Sequence, residues 1–327
     1  MTLSIGVIGL GNISQRHRKN LKMSYPNATI LAMSASGRQP NSKVENADKI
    51  VYSLEALIDE KPYFSIIASP ATLHSSHAIP LIKAGIPVLI EKPVTVKSAD
   101  AIALLDIAKL HNTPVAVGYC LRYLSSAPII KQLIENKTIG YIYNASINIG
   151  QFLPHWRPTK DYRESVSANA HLGGGALLEL SHELDYLQWI LGDMDFHYAH
   201  LRNSTELQLD VEELADIVLV SKTGCVCNIH LDFIQKQPQR KCSFIGSKGR
   251  LDWDLLNNTI TLHTLEGDKT LYSQPEWDKN KMYLDMLADF DSLINHKENQ
   301  CPTLFQACKT ITLIEKIKEK AVFGGTL

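Results

Sequence analysis

The chain has 327 residues, with 33 Lys and Arg against 34 Asp and Glu, a net charge of -1, 45% hydrophobic residues and 20% charged ones. At roughly 150 residues per domain, that length favours two domains, each able to bury a core. The near-neutral balance and the lack of a long basic run argue against nucleic acid and membrane as partners, and no apolar run approaches the ~18 residues of a membrane span.

The opening "MTLSIGVIGL" reads as a buried first strand rather than a secretory leader, because it lacks a charged start and a cleavage site. Short apolar runs at 4–10, 29–34, 64–69, 87–93 and 114–119 predict strands buried on both faces. Between them, 13–23, 54–60, 74–84 and 98–111 predict helices. This alternation predicts a parallel, doubly wound α/β sheet with right-handed crossovers over residues 1–120. The first strand leads into Gly9 and Gly11, and Asn12 and Ile13 then open a helix. Gly9 permits a tight turn, and Gly11 lets the backbone approach a pyrophosphate held by the helix amino end. Ser14 takes the third glycine's position, where a small residue suffices for packing. An NAD site usually has an acid at the end of the second strand. Here "AMSASGRQ" has no acid, and Ser34, Ser36 and Arg38 are donors suited to a 2′-phosphate. NADP is therefore the expected cofactor, with NAD as the alternative.

Beyond a boundary near 119–124 the pattern changes. A helix is expected over 125–136 and a half-exposed strand over 141–152. A polar, aromatic-bearing stretch follows, then glycines 173–175 and a helix from about 176 to 191. The alternating runs that come next, separated by tight polar turns, predict antiparallel hairpins. Two helices, about 280–295 and 303–321, close an α+β domain over 121–327. None of the six cysteines forms a C-x-x-C pair, a set that suits a reducing cytoplasm. Cys225 and Cys227 fit two buried thiols on one strand face better than a metal pair, and the chain has no clustered Cys/His spacing for a metal.

"EKP" (Glu91–Pro93) ends a strand of the first sheet, and ligands bind such sheets outside the carboxyl ends of the strands. Together with "SPATLH" (69–74), "GYCLRY" (118–123) and "GGGALLELSHELDYLQWILGD" (173–193), it resembles the glucose-fructose oxidoreductase / inositol dehydrogenase / MocA family over nearly the whole chain. The resemblance implies a Rossmann domain followed by a large, open, mostly antiparallel sheet whose outer face builds homodimers or homotetramers. It implies hydride transfer between nicotinamide and a carbinol carbon. Lys92 and His182 take the places of the catalytic lysine and histidine, with Asp185 in the H-x-x-D spacing and, with Glu179, among the expected substrate-binding residues. Ser69, Pro70, His74, Glu91 and Lys92 join the cofactor-binding set. One departure stands out: Glu179 precedes His182 by one residue fewer than the family's acid usually precedes its histidine. Alignment on the glycines instead puts Glu183 at the histidine's place; alignment on "SHELD" keeps His182.

The residue chemistry agrees with that assignment. Alcohol oxidation needs a proton acceptor near neutrality, which histidine provides, and a cation to stabilise charge on the reacting oxygen, which lysine provides. On one continuous helix Glu179, His182 and Asp185 form a single polar stripe. The segment "FLPHWRPTKDYRE" (152–164) is expected to face the substrate. Trp156 offers a flat face for a sugar ring, and Arg122, Arg157, Arg163 and Tyr162 offer donors to hydroxyls or a carboxylate. Two arginines in the cleft would favour an acidic or nucleotide-linked sugar. The expected function is an NADP(H)-dependent sugar oxidoreductase. The alternatives are a non-catalytic nucleotide-binding regulator and a reductase of a non-sugar carbonyl or imine.

Overall fold

The computed structural model describes residues 3–156, 158 and 161–326. Contacts divide the chain into two compact units: Met1–Cys120 with Tyr283–Thr312, and Leu121–Met282 with Leu313–Leu327.

The first unit is built on β1 (Ser4–Ile8), β2 (Thr29–Met33), β3 (Lys49–Val51), β4 (Ser65–Ile67), β5 (Val88–Ile90) and β6 (Val115–Val117), in the order β3-β2-β1-β4-β5-β6. All pairings are parallel, as the alternation of strands and helices implies. The order reverses between β1 and β4, which opens a crevice at the strand ends. Strand β3 has only three residues beside a polar stretch, too short a run to show an apolar period. The returning segment completes the unit. Phe290 meets Phe64 edge-on at 5.4 Å, and Tyr25 and Tyr63 both donate to Asp291 at 3.0 Å. The Val117 amide donates to Pro302 O at 2.9 Å.

The second unit holds nine strands: β7 (Ile142–Gly150), β8 (Met194–Asn203), β9 (Leu214–Ser221), β10 (Val226–Asp232), β11 (Gln239–Gly246), β12 (Gly249–Asp254), β13 (Thr259–Thr264), β14 (Gly267–Ser273) and β15 (Val322–Thr326). Their order is β14-β13-β12-β11-β7-β10-β9-β8-β15. The sheet is antiparallel except for β7 with β10 and β8 with β15. Five residues with two glycines gave β15 no strand signal in the sequence. Period-2 alternation sorts the side chains by face. Ile147, Ile229, Leu219, Phe244 and Trp253 are buried on one side, where Trp253 donates to Ser126 and meets the Tyr186 ring at 5.4 Å. The opposite side carries Ser146, Asn228, Val218 and His230. Cys225 and Cys227 are buried free thiols with their sulfurs 3.9 Å apart. Among the described residues no helix is long and apolar enough to cross a membrane.

The predicted helix over 176–191 is broken. Ala176–Glu179 forms one turn, and a new helix starts at His182 and runs to Leu191. The first turn is tethered elsewhere, since the Ala176 and Leu177 amides donate to Glu212 O and its Oε1 at 2.9 and 3.2 Å. The expected continuous stripe is therefore interrupted after Glu179, while His182 and Asp185 stay on one helix.

Candidate functional site

Gly9 adopts φ +114°, and a Cβ there would run into Ala68 O. Its amide donates to Met33 O at 2.8 Å, so the turn is wedged between the ends of β2 and β4. Ser14 is fully buried and donates to Ala68 O at 3.1 Å, filling the third glycine's position as a packing residue. Gly11 is the contrast: a Cβ there would meet nothing within 4 Å. It caps the helix Asn12–Ser24, which has no side-chain cap and no acid in its first turn. An open approach to an uncapped helix amino end is what an anionic pyrophosphate needs. Asn12 is exposed and Ile13 half-buried at this end.

Past β2, Ser34 is buried, and its hydroxyl lies 3.2 Å from that of Ser36. Arg38 is exposed beyond Gly37, which holds φ +71°.

Glu91 is buried directly after β5. His17 Nε2 lies 2.6 Å from its Oε1, and the Lys92 amide donates to its Oε2 at 3.1 Å. Burial opposes ionisation of Glu91, but the contacts with His17 and Lys92 outweigh it and hold the carboxyl below its usual range. Gly118 makes room, since a Cβ there would lie 3.0 Å from Glu91 Oε2. The glycine-turn helix is thereby tied to the half-buried Lys92 through the contact of His17 with Glu91. His74 is almost fully buried and serves as a tie, not an open contact. Its nitrogens lie 2.8 Å from Ser69 O and 3.0 Å from Pro93 O, and burial lowers its pKa. Ser69 Oγ lies 2.9 Å from His77 Nδ1, and Pro70 is half-buried beside it.

In the second unit, His182 is 9% exposed at the amino end of its helix. Asp185 is 1% exposed. It accepts from Arg122 Nε at 2.8 Å and Nη2 at 2.6 Å, a bidentate buried pair. Burial raises the Asp185 pKa against the pull of Arg122. Both residues were expected to touch substrate, and the structure brings them to each other instead. Glu183 has no exposure and accepts from Arg240 Nε at 2.7 Å and Nη2 at 3.1 Å. Glu179 is half-buried on the separate preceding turn.

Trp156 and Tyr162 line one cavity of about 220 Å³ with Leu153, Asp161, Glu164 and Ser165. Tyr162 donates its hydroxyl to Leu207 O at 3.2 Å, and Trp156 meets Phe233 edge-on at 5.5 Å. Arg163 lies over its neighbour's ring, 4.7 Å from the Tyr162 centroid and 3.7 Å from Asp161. Arg157 lies outside the described residues.

The sequence reading missed His17, Arg18 and the cavity's polar lining. Arg18 is 2% exposed and donates to Gly9 O at 3.3 Å and Glu45 O at 2.9 Å, propping the turn from beneath. Ser14, His17, Arg18 and Leu21 share a helical face, so their period was the available signal.

Residues 3–119 match the oxidoreductase family with an NAD-binding Rossmann fold, GFO_IDH_MocA, and residues 129–252 match the GFO/IDH/MocA C-terminal domain. The chain belongs to the GFO/IDH/MocA family. It is an oxidoreductase with an NAD(P)-binding Rossmann domain, as the motifs led one to expect. A GFO/IDH/MocA relative, the myo-inositol 2-dehydrogenase of Thermotoga maritima, is 27% identical over 82% of this chain and 80% of its own length. Two solved structures share the fold. Levoglucosan dehydrogenase, in complex with NADH and levoglucosan, has a TM-score of 0.83 at 18% identity, covering 98% of this chain and 96% of its own. A mutant 3-ketoreductase from Actinomadura kijaniata, in complex with TDP-benzene and NADP, also has a TM-score of 0.83, at 17% identity over 100% of both chains.

Proposed function

We propose that this GFO/IDH/MocA oxidoreductase moves a hydride between nicotinamide and a hydroxyl-bearing carbon of a sugar or cyclitol, with Lys92 and His182 as its catalytic residues. The anchoring of Lys92 carries this reading. Its backbone amide is fixed by Glu91, and Glu91 is fixed by His17 on the helix whose open amino end suits a pyrophosphate. The nicotinamide cofactor supplies the hydride acceptor or donor when bound. Gly9, Gly11 and the Asn12–Ser24 amino end hold the pyrophosphate, and Lys92 stabilises negative charge on the reacting oxygen. His182 takes the hydroxyl proton at a ring nitrogen during oxidation and returns it during reduction. Asp185, held by Arg122, positions the His182 helix rather than the substrate. Initial rates read at the reduced-nicotinamide absorbance band across a panel of sugars and cyclitols test the function. Saturable turnover on at least one member is expected, and binding without turnover across the panel contradicts it.

NADP is the proposed nucleotide. The turn after β2 offers Ser34, Ser36 and the exposed Arg38, and no acid lies between Ser34 and Gln39. A charge-assisted hydrogen bond contributes about 1.5–3 kcal/mol, so Arg38→Ala should weaken NADPH roughly tenfold or more while leaving NADH unchanged. Calorimetric titration decides this, and equal losses for both nucleotides refute it.

The protein is further proposed to assemble as a homodimer or homotetramer through the open side of its large sheet. Tyr198 is 48% exposed there and Val226 37%, and Val218 and Val220 lie across from them. Sedimentation equilibrium showing a monomer at micromolar concentration would contradict that assembly.

A further inference from the structure

The turn after β2 is held from within and from outside. Within it, the Ser36 amide donates to Ser34 Oγ at 3.3 Å and the Gly37 amide to Ser34 O at 3.0 Å. Gly37 fits closely, since a Cβ there would lie 2.6 Å from Tyr52 O. The outside contact is His77, a buried residue of the helix His74–Lys83, whose ring donates to the Ala35 carbonyl. The peptide between Ala35 and Ser36 is therefore fixed at both polar ends, its amide by Ser34 and its carbonyl by His77.

His77 stands on a rigid base. Its Nδ1 lies 2.9 Å from Ser69 Oγ, just past β4, and the Ser69 carbonyl lies 2.8 Å from His74 Nε2. His77 thus ties the end of β2 to the end of β4, the two neighbours of β1 at the crevice where the strand order reverses. Burial lowers the His77 pKa, so its ring is neutral near neutrality and offers a phosphate no charge of its own.

The direction of that peptide matters more to one nucleotide than to the other. A turn peptide released from its carbonyl partner can flip, exchanging the directions of its amide and carbonyl. Here a flip would carry the Ala35 carbonyl away from the buried ring and toward the side where Ser36 and Arg38 are exposed. A carbonyl oxygen only accepts, so it opposes a phosphate yet can still take a hydrogen bond from a ribose hydroxyl.

We infer that His77 is a positioning residue for nucleotide specificity: it holds the Ala35 carbonyl against the buried ring, so that the turn after β2 accepts a 2′-phosphate. The inference rests on the proposed NADP reading and deepens it. His77 acts through the shape of the turn, not by touching the nucleotide.

Calorimetric titration of the full chain with NADPH, NADH, adenosine 2′,5′-bisphosphate and AMP tests this without a substrate. His77→Leu should weaken NADPH and the bisphosphate roughly fivefold or more, the worth of one net hydrogen bond, and leave NADH and AMP within about twofold. His77→Gln, whose single amide can donate to Ala35 and accept from Ser69, should restore NADPH to within about twofold of the unsubstituted protein. His77→Asn keeps a polar group near Ser69 but is too short to reach Ala35, so it should lose NADPH as His77→Leu does; it keeps the comparison with His77→Gln readable even where His77→Leu does not fold. Three results overturn the inference: all four ligands weakened alike, NADPH unchanged in both His77→Leu and His77→Asn, or His77→Gln as weak as His77→Asn. NADPH binding lost in Arg38→Ala but kept in the His77 variants would defeat this inference alone. A bisphosphate bound no more tightly than AMP by the unsubstituted protein would defeat the NADP reading, and the inference with it.

Discussion

Lys92→Ala is expected to leave nucleotide affinity nearly intact and to cut turnover by about 10²–10³-fold, the usual loss when one stabiliser of a developing oxyanion is removed. Affinity should persist because the pyrophosphate-holding groups proposed here are Gly9, Gly11 and the helix amino end, and their geometry depends on Met33, Ala68 and Arg18 rather than on the ammonium. His182→Ala should lose about 10²–10⁴-fold, the range for a positioned acid–base group, and should flatten one limb of the pH–rate profile. The double mutant should be little worse than the poorer single one, since the proposed mechanism has both groups act on one oxygen in one step. Single-turnover rates paired with calorimetric nucleotide titration separate these effects. A Lys92→Ala protein that turns over normally would remove the proposed mechanism. A normal His182→Ala protein would reopen the spacing departure at Glu179.

The largest stability effect is expected at Arg122. Arg122→Met leaves the Asp185 carboxyl almost fully buried without its bidentate partner, a loss of about 3–5 kcal/mol. Arg122→Met with Asp185→Leu should recover most of that loss, because a buried pair replaced by apolar groups of similar volume is close to neutral. The pH dependence has a defined sign. Burial already raises the Asp185 pKa, and removing Arg122 raises it further. A folded-state pKa above the unfolded one gives stability that is present in acid and lost as pH rises. The deficit of Arg122→Met should therefore be smallest in acid and grow as pH rises through the raised pKa. Urea unfolding at several pH values measures it. A double mutant as unstable as the single one would contradict this, because the loss would then not come from the unpaired Asp185 carboxylate.

Features carried by local pattern were legible in the sequence. Double-sided apolar strands between amphipathic helices announced the parallel sheet, and Gly9 and Gly11 between strand and helix announced the turn. Other features depend on partners far apart in the chain. Arg122 and Asp185, separated by 63 positions, both read as ligand donors because nothing local shows that they face each other. Glu183 and Arg240 are hidden in the same way. The break after Glu179 carries no Pro or other local mark, and Glu212, an acceptor on a distant segment, caps the start of the short first turn. Strands β3 and β15 are too short, or too rich in glycine, to carry a period. The return of Tyr283–Thr312 to the first unit rests on aromatic and Asp291 contacts that the amphipathic pattern of a helix cannot specify.

The most direct test of the central claim follows the hydride itself. Incubating the protein with oxidised nucleotide and perdeuterated sugars and cyclitols, then weighing the reduced nucleotide by mass spectrometry, reads the transferred atom. The account predicts reduced nucleotide carrying a single deuterium delivered from the substrate carbon, formed about 10²–10³-fold more slowly by Lys92→Ala. Reduced nucleotide without deuterium, or none formed with any sugar or cyclitol under saturating nucleotide, would contradict it.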